Sequence, residues 1–164
     1  ESTELLETNH DKMAARLAEI VKSDEEKKIE QYMKLANTIT TLKTTLSEKE
    51  RQQRESYLTE AFTDPGFEVD MQLPGSKNDF PHSPTLLTVA ARVSNLGIIK
   101  KLIKLGANIN HIGTEKGTVL DEVENNRIQA MLNNGYNADP EISQVIKFLR
   151  ENGAKTYLEL KSNN

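Results

Sequence analysis

The amino-acid sequence predicts an all-α fold built from short helices and turns. Apolar residues recur at three- and four-residue spacing along most of the chain, which is the period of an amphipathic helix. Gly and Pro, the residues that most often interrupt helices, are absent from residues 1–64 and occur only after them. A pattern that begins at Thr85 begins again 33 residues later, at Thr118. We therefore expect a helical region over residues 1–64 and helical repeats over residues 65–164, packed as one structural unit.

The N-terminal region predicts three helices, the first over residues 3–22. The apolar stripe of this first helix consists of Leu6, Met13, Leu17, Ile20 and Val21. New helices are expected after Ser23 and Ser47, because each serine is followed three residues later by a glutamate that can complete a cap. The second helix should reach Leu46, and Asp64-Pro65-Gly66 should end the third. A coiled coil is the alternative, but the apolar positions do not keep a strict heptad.

The C-terminal region predicts helix pairs that repeat. Residues 85–91 align with residues 118–124, and residues 98–102 align with residues 145–149 at the larger offset of 47. The larger offset indicates an insertion of 14 residues inside the second unit. One helix pair cannot bury both of its faces, so neighbouring pairs are expected to stack.

Each unit ends at a glycine. Gly106-Ala107-Asn108 returns as Gly153-Ala154-Lys155, and residues 65–70 resemble residues 105–110 at an offset of 40. Gly106 follows a helix at the position where a left-handed residue commonly ends it, which predicts a positive φ there.

Two insertions interrupt the repeats. Residues 71–84 lengthen the first loop, and long loops in compact domains are often functional. Within residues 125–144, apolar spacing extends the preceding helix to about Asn134, with Asp139 as a candidate cap and Pro140 as the first residue of the next helix.

A 33-residue unit of helix, turn, helix, glycine and turn resembles the ankyrin repeat. Thr85-Leu86-Leu87-Thr88 and Gly106-Ala107-Asn108-Ile109-Asn110 are similar to the opening and closing motifs of that family. The opening motifs lack the usual Pro, and Thr88 and Asp121 replace the usual His. The resemblance implies ankyrin-like helix-turn-helix repeats with short β-hairpin loops, best formed over residues 83–113 and 117–156. Residues 1–64 would then be an N-terminal helical cap or degenerate repeats.

The resemblance implies a non-catalytic module that binds another protein through hairpin tips and the inner-helix surface. The contact residues that it indicates are Asp79, Phe80, His82, Arg92, His111, Glu115, Lys116, Glu124 and Asn125. We further expect a monomer that is located in the cytoplasm. Divergent ankyrin arrays also occur among proteins that intracellular bacteria deliver into host cells, which would place this chain in the host cytoplasm.

Composition and motifs exclude several classes of function. The chain has no Cys, so thiol nucleophiles and thiolate metal sites are excluded, and its three His residues form no recognisable ligand set. We expect no metal, no cofactor and no catalytic site, since phosphate-binding and hydrolase motifs are absent. The net charge of −4 argues against nucleic acid. No apolar run approaches the roughly 20 residues that cross a bilayer.

Two other functions stay open at this point. The chain begins at Glu1 rather than Met, which is consistent with a C-terminal regulatory or targeting part of a larger enzyme, such as a bacterial effector. Alternatively, it is a helical structural protein that self-associates through residues 1–63.

Overall fold

The computed structural model describes residues 2–20, 23–73, 84–113, 117–134 and 140–162. Every regular element within these ranges is an α-helix, which confirms the all-α prediction. The helices are α1 (Ser2–Ile20), α2 (Asp24–Thr41), α3 (Glu48–Thr63), α4 (Leu86–Arg92), α5 (Leu96–Lys104), α6 (Val119–Asn134), α7 (Pro140–Glu151) and α8 (Tyr157–Ser162). The loop tips expected to form β-hairpins and the candidate cap Asp139 lie outside the described residues.

The predicted helix starts at Ser23 and Ser47 are confirmed. Ser23 accepts a hydrogen bond from the Glu26 backbone N at 3.2 Å. Ser47 and Glu50 form a complete capping box, in which each side chain accepts from the other residue's backbone N. The hydrogen bonds that Glu50 accepts from Ser47 hold the pKa of its carboxyl below the ordinary value. These starts are set locally, because a cap satisfies amide groups that have no partner inside the helix.

The prediction that α2 continues to Leu46 is wrong, because the helix ends at Thr41. Near this end the hydroxyls of Thr38, Thr40 and Thr41 each donate to the carbonyl four residues earlier. Threonine hydroxyls that bond back in this way weaken and bend helices. The Thr44 hydroxyl then donates to the carbonyl of Thr41, the last residue of α2, at 2.6 Å, and the chain turns towards Ser47.

Helices α2 to α7 pack in sequential pairs, α2 with α3, α4 with α5 and α6 with α7. Helices α2, α4 and α6 also lie side by side, and α5 contacts α7. We call α2, α4 and α6 the inner helices, and α3, α5 and α7 the outer helices. One continuous apolar core joins them, and its most deeply buried members include Leu35, Leu58, Leu87, Ile99 and Leu149.

The helices α4, α6 and α8 begin in the same way. Thr85, Thr118 and Thr156 each cap a helix by accepting from the backbone N three residues later, at Thr88, Asp121 and Glu159. Helix α8 starts directly after Thr156, the residue at which the predicted unit 117–156 ends.

The outer helices α5 and α7 also end in the same way. Gly106 has a φ of 93° and Gly153 a φ of 87°, which confirms the left-handed position predicted at Gly106. In each case the residue after the glycine donates its backbone N to a carbonyl five residues earlier, from Ala107 to Leu102 and from Ala154 to Leu149. These bonds are the ones that end a helix at a left-handed residue.

Hydrogen bonds connect the turns of successive pairs at matching positions. Asp70 Oδ1 accepts from the Asn108 backbone N at 2.8 Å. One unit later, Asn110 Oδ1 accepts from the Lys155 backbone N at 2.9 Å. Asp70 aligns with Asn110, and Asn108 aligns with Lys155, so one contact recurs along the chain.

Candidate functional site: the Arg92 surface

A polar cluster on the inner helices centres on Arg92. The six residues of α4 before it are all buried, so Arg92 is the first side chain of that helix to reach solvent. Arg92 Nε and Nη2 donate to the two carboxylate oxygens of Glu122 on α6, at 2.7 and 3.0 Å. This fork-to-fork geometry fixes both side chains and is the strongest form of an arginine–carboxylate contact.

Neighbouring side chains from α2 and α6 extend this cluster. The Tyr32 hydroxyl donates to the Pro84 carbonyl at 2.6 Å, which ties α2 to the start of α4. Asn126 Nδ2 donates to the Arg92 carbonyl at 3.4 Å. We define the Arg92 surface as Arg92, Glu122, Asn125 and Asn126, together with Tyr32, whose side chain is buried.

The electrostatics keep this surface charged. The hydrogen bond with Glu122 raises the pKa of Arg92 above its ordinary value, against the opposing effect of partial burial. Burial raises the pKa of Tyr32, while the positive charge of Arg92 acts in the opposite direction. The phenol therefore stays neutral and donates to Pro84. The surface can present a guanidinium, amides and carboxylate edges to another molecule, but its contacts form no nucleophile–base pair.

The structure divides the predicted contact residues among several places. Arg92 and Asn125 lie on the exposed side of the inner helices. Glu124 points towards α7, where its carboxylate lies 3.6 Å from Arg150. His111 lies in the turns, with its Nε2 3.1 Å from Gln72 Nε2. The other predicted residues, Asp79, Phe80, His82, Glu115 and Lys116, lie outside the described residues.

Sequence reasoning missed three members of the Arg92 surface. Glu122 and Asn126 are four residues apart, so helical spacing alone could have placed them on one face of α6. No sequence signal pairs Glu122 with Arg92, which is 30 residues earlier. Tyr32 carries no signal either, because its hydroxyl partner lies 52 residues away.

Within the described ranges, neither a metal-binding cluster nor a membrane-spanning helix is present. No group of three or more His, Asp or Glu side chains there is arranged to hold a metal ion. Likewise, none of the helices in the described part of the chain is long and apolar enough to span a membrane.

The chain matches none of the protein-family models, curated proteins and solved structures with which it was compared. The contacts within the molecule are therefore the basis for the functional proposal.

Proposed function

We propose that this chain is a non-catalytic protein-protein interaction module of the ankyrin-repeat type, which holds its partner on the Arg92 surface and the adjoining loops. The observation that carries the proposal is the recurrence of the turn contact, from Asp70 to Asn108 and again from Asn110 to Lys155. A recurring contact at aligned positions is expected when equivalent units stack in one direction.

Two further repetitions support an array of this type. The threonine caps recur at Thr85, Thr118 and Thr156. The left-handed glycines recur at Gly106 and Gly153. The substitution of Asp121 for the family's usual His also fits a linking role, since Asp121 Oδ2 accepts from the Tyr157 backbone N at 2.8 Å.

The Arg92 surface suits protein recognition for energetic reasons. Arginine is over-represented among the residues that dominate binding energy at interfaces. Here the guanidinium is already held by Glu122, so a partner does not have to immobilise a free side chain. A partner carboxylate or backbone carbonyl placed near the cluster would meet donors that are fixed in advance.

The test is affinity capture with a pair of charge-reversed variants. Arg92→Glu reverses the charge at that position. Arg92→Glu combined with Glu122→Arg restores an ion pair with the two charges exchanged between α4 and α6. We expect both variants to lose the proteins captured by the unmodified chain. The double variant should keep its melting temperature, because the α4–α6 ion pair is retained.

Lys147→Glu on the outer helix α7 is the matched control, because Lys147 is strongly exposed and pairs only within its helix. Normal capture by the double variant, or equal loss with Lys147→Glu, would contradict the Arg92 surface as the binding site.

A second candidate function is self-association through residues 1–63, and one observation favours it. Every side chain described in α1, from residue 8 to residue 18, is exposed, including Met13 at 65% and Leu17 at 56%. A chain that stays monomeric in light scattering at high concentration would contradict this candidate and leave the first one standing.

A further inference from the structure

A groove runs between the outer helices α3 and α5. It contains two cavities, of about 280 and 380 Å³, which share Lys101 as a lining residue. The first lies beside Leu58 and Ile98, and the second beside Phe62 and Leu105. The cavities therefore follow α5 from its start to its end, a length of about 14 Å at 1.5 Å per residue.

The groove has an apolar floor and one basic wall. Leu58, Phe62 and Ile98 are buried among the core residues below it. Helix α5 carries three lysines and no acidic residue. Lys101 and Lys104, which line the second cavity, form no ion pair with any residue in the described ranges. Such a surface suits an amphipathic helix with an excess of acidic residues.

Helix α1 has the complementary character. It carries four acidic and two basic residues between Ser2 and Ile20. Met13 and Leu17 are four residues apart, so they share one face and lie about 6 Å apart along the helix axis. A single helix of this length is marginal in water unless its apolar face is packed against another surface.

We propose that α1 of one copy of the chain docks in the α3–α5 groove of a second copy, with Met13 and Leu17 against the two cavities. This inference rests on the second candidate function, because it requires self-association, and it departs from the monomer expected from sequence. Complementary charge between α1 and α5 favours the encounter, and burial of Met13 and Leu17 stabilises the complex.

The test uses two full-length variants, each damaged on one side of the contact. Leu17→Asp places a charge on the apolar face of α1. Lys101→Glu with Lys104→Glu reverses the basic wall of the groove. Lys49→Glu with Lys147→Glu, at exposed positions that line neither cavity, makes the same charge change as a control.

Sedimentation velocity over a range of concentrations measures the association. We expect each damaged variant to weaken self-association by about tenfold or more, equivalent to about 1.4 kcal/mol, while the control matches the unmodified chain. Circular dichroism at a concentration where every chain is monomeric should show the same helix content and melting temperature for all of them.

Mixing the two damaged variants provides the sharper result. The Leu17→Asp variant keeps an intact groove, and the groove variant keeps an intact α1. An equimolar mixture should therefore form a one-to-one heterodimer. If the chains instead paired through two α1 helices, the mixture would form no heterodimer, because a heterodimer would contain one damaged α1.

Three outcomes would overturn the inference. Self-association that survives the groove substitutions, or a mixture that remains monomeric, would exclude the groove as the docking site. Self-association would then have to use another surface. An unmodified chain that is monomeric throughout would remove the second candidate function as well.

Discussion

The helix pairs α4–α5 and α6–α7 begin and end alike but differ in how much of the inner helix is buried. In α4 the whole run from Leu86 to Ala91 is buried, because α2, α5 and α6 surround it. In α6 burial is confined to the first turns, at Val119, Leu120 and Val123, and Leu132 is 74% exposed. The inserted residues therefore lengthen α6 beyond the shared core. This insertion adds surface without adding core.

Core truncation should give the largest difference between the two pairs. Leu87→Ala in α4 removes a side chain that is 1% exposed, and we expect a loss of about 2–5 kcal/mol in the free energy of unfolding. Leu132→Ala in the extension of α6 should change it by no more than about 0.5 kcal/mol. Chemical denaturation measures both, and equal losses would show that the extension belongs to the core.

The two left-handed glycines test whether the pairs are coupled. Gly106→Val should cost about 1–3 kcal/mol. The cause is strain at positive φ, because an added Cβ at Gly106 meets no atom within 4 Å. Hydrogen exchange should accelerate at Leu120 and Val123 as well as at Leu102, since stacked units stabilise their neighbours.

Gly97→Ala in α5 is the matched control, because its added Cβ makes only ordinary contacts and alanine favours helix. Faster exchange confined to the turn at Gly106 would contradict coupled units.

Thr88 and Asp121, which occupy equivalent positions in α4 and α6, should differ as well. Thr88→Ala and Asp121→Ala each remove a polar side chain next to a capping threonine, at a cost of about 0.5–2 kcal/mol. Asp121→Ala should cost more, because its carboxylate also accepts from the Thr118 and Tyr157 backbone N atoms. Thermal unfolding of the two variants, with Asp121→Asn as the conservative control, decides the order.

The Arg92–Glu122 ion pair should contribute a smaller amount. A double-mutant cycle with Arg92→Ala and Glu122→Ala should give a coupling of about 0.2–1 kcal/mol, because both side chains are partly exposed. The coupling should fall as salt is added. A coupling that is large and independent of salt would mean that the pair is buried by a partner or a second copy.

The smallest expected effect concerns pH at α8. The hydrogen bond from Arg150 holds the pKa of Glu159 below its ordinary value, with a further contribution from Thr156. The stabilisation of the folded state is therefore present above the ordinary carboxyl pKa and is lost as pH falls through the lower folded value. An NMR titration should show Glu159 titrating below the ordinary carboxyl pKa, and α8 amide signals should lose dispersion over the same range.

Local signals in the sequence predicted helix boundaries well where they were applied. The end of α3 at Thr63, the end of α6 at Asn134 and the start of α7 at Pro140 all agree with the structure. The start of α8 was missed although Thr156 and Glu159 have capping-box spacing, so that signal was available. The early end of α2 was missed because a threonine-rich helix end has no strong punctuation residue.

The sequence by itself determined the helical class, the caps at Ser23 and Ser47 and the left-handed position of Gly106. Each of these depends on residues within a few positions of one another in the sequence, so a local pattern is enough to predict it. Only the tertiary structure decided that Arg92 pairs with Glu122, that Asp70 reaches Asn108, and that Met13 and Leu17 stay exposed. Those outcomes depend on which helices come together in space, and spacing along one chain does not specify which helices these are.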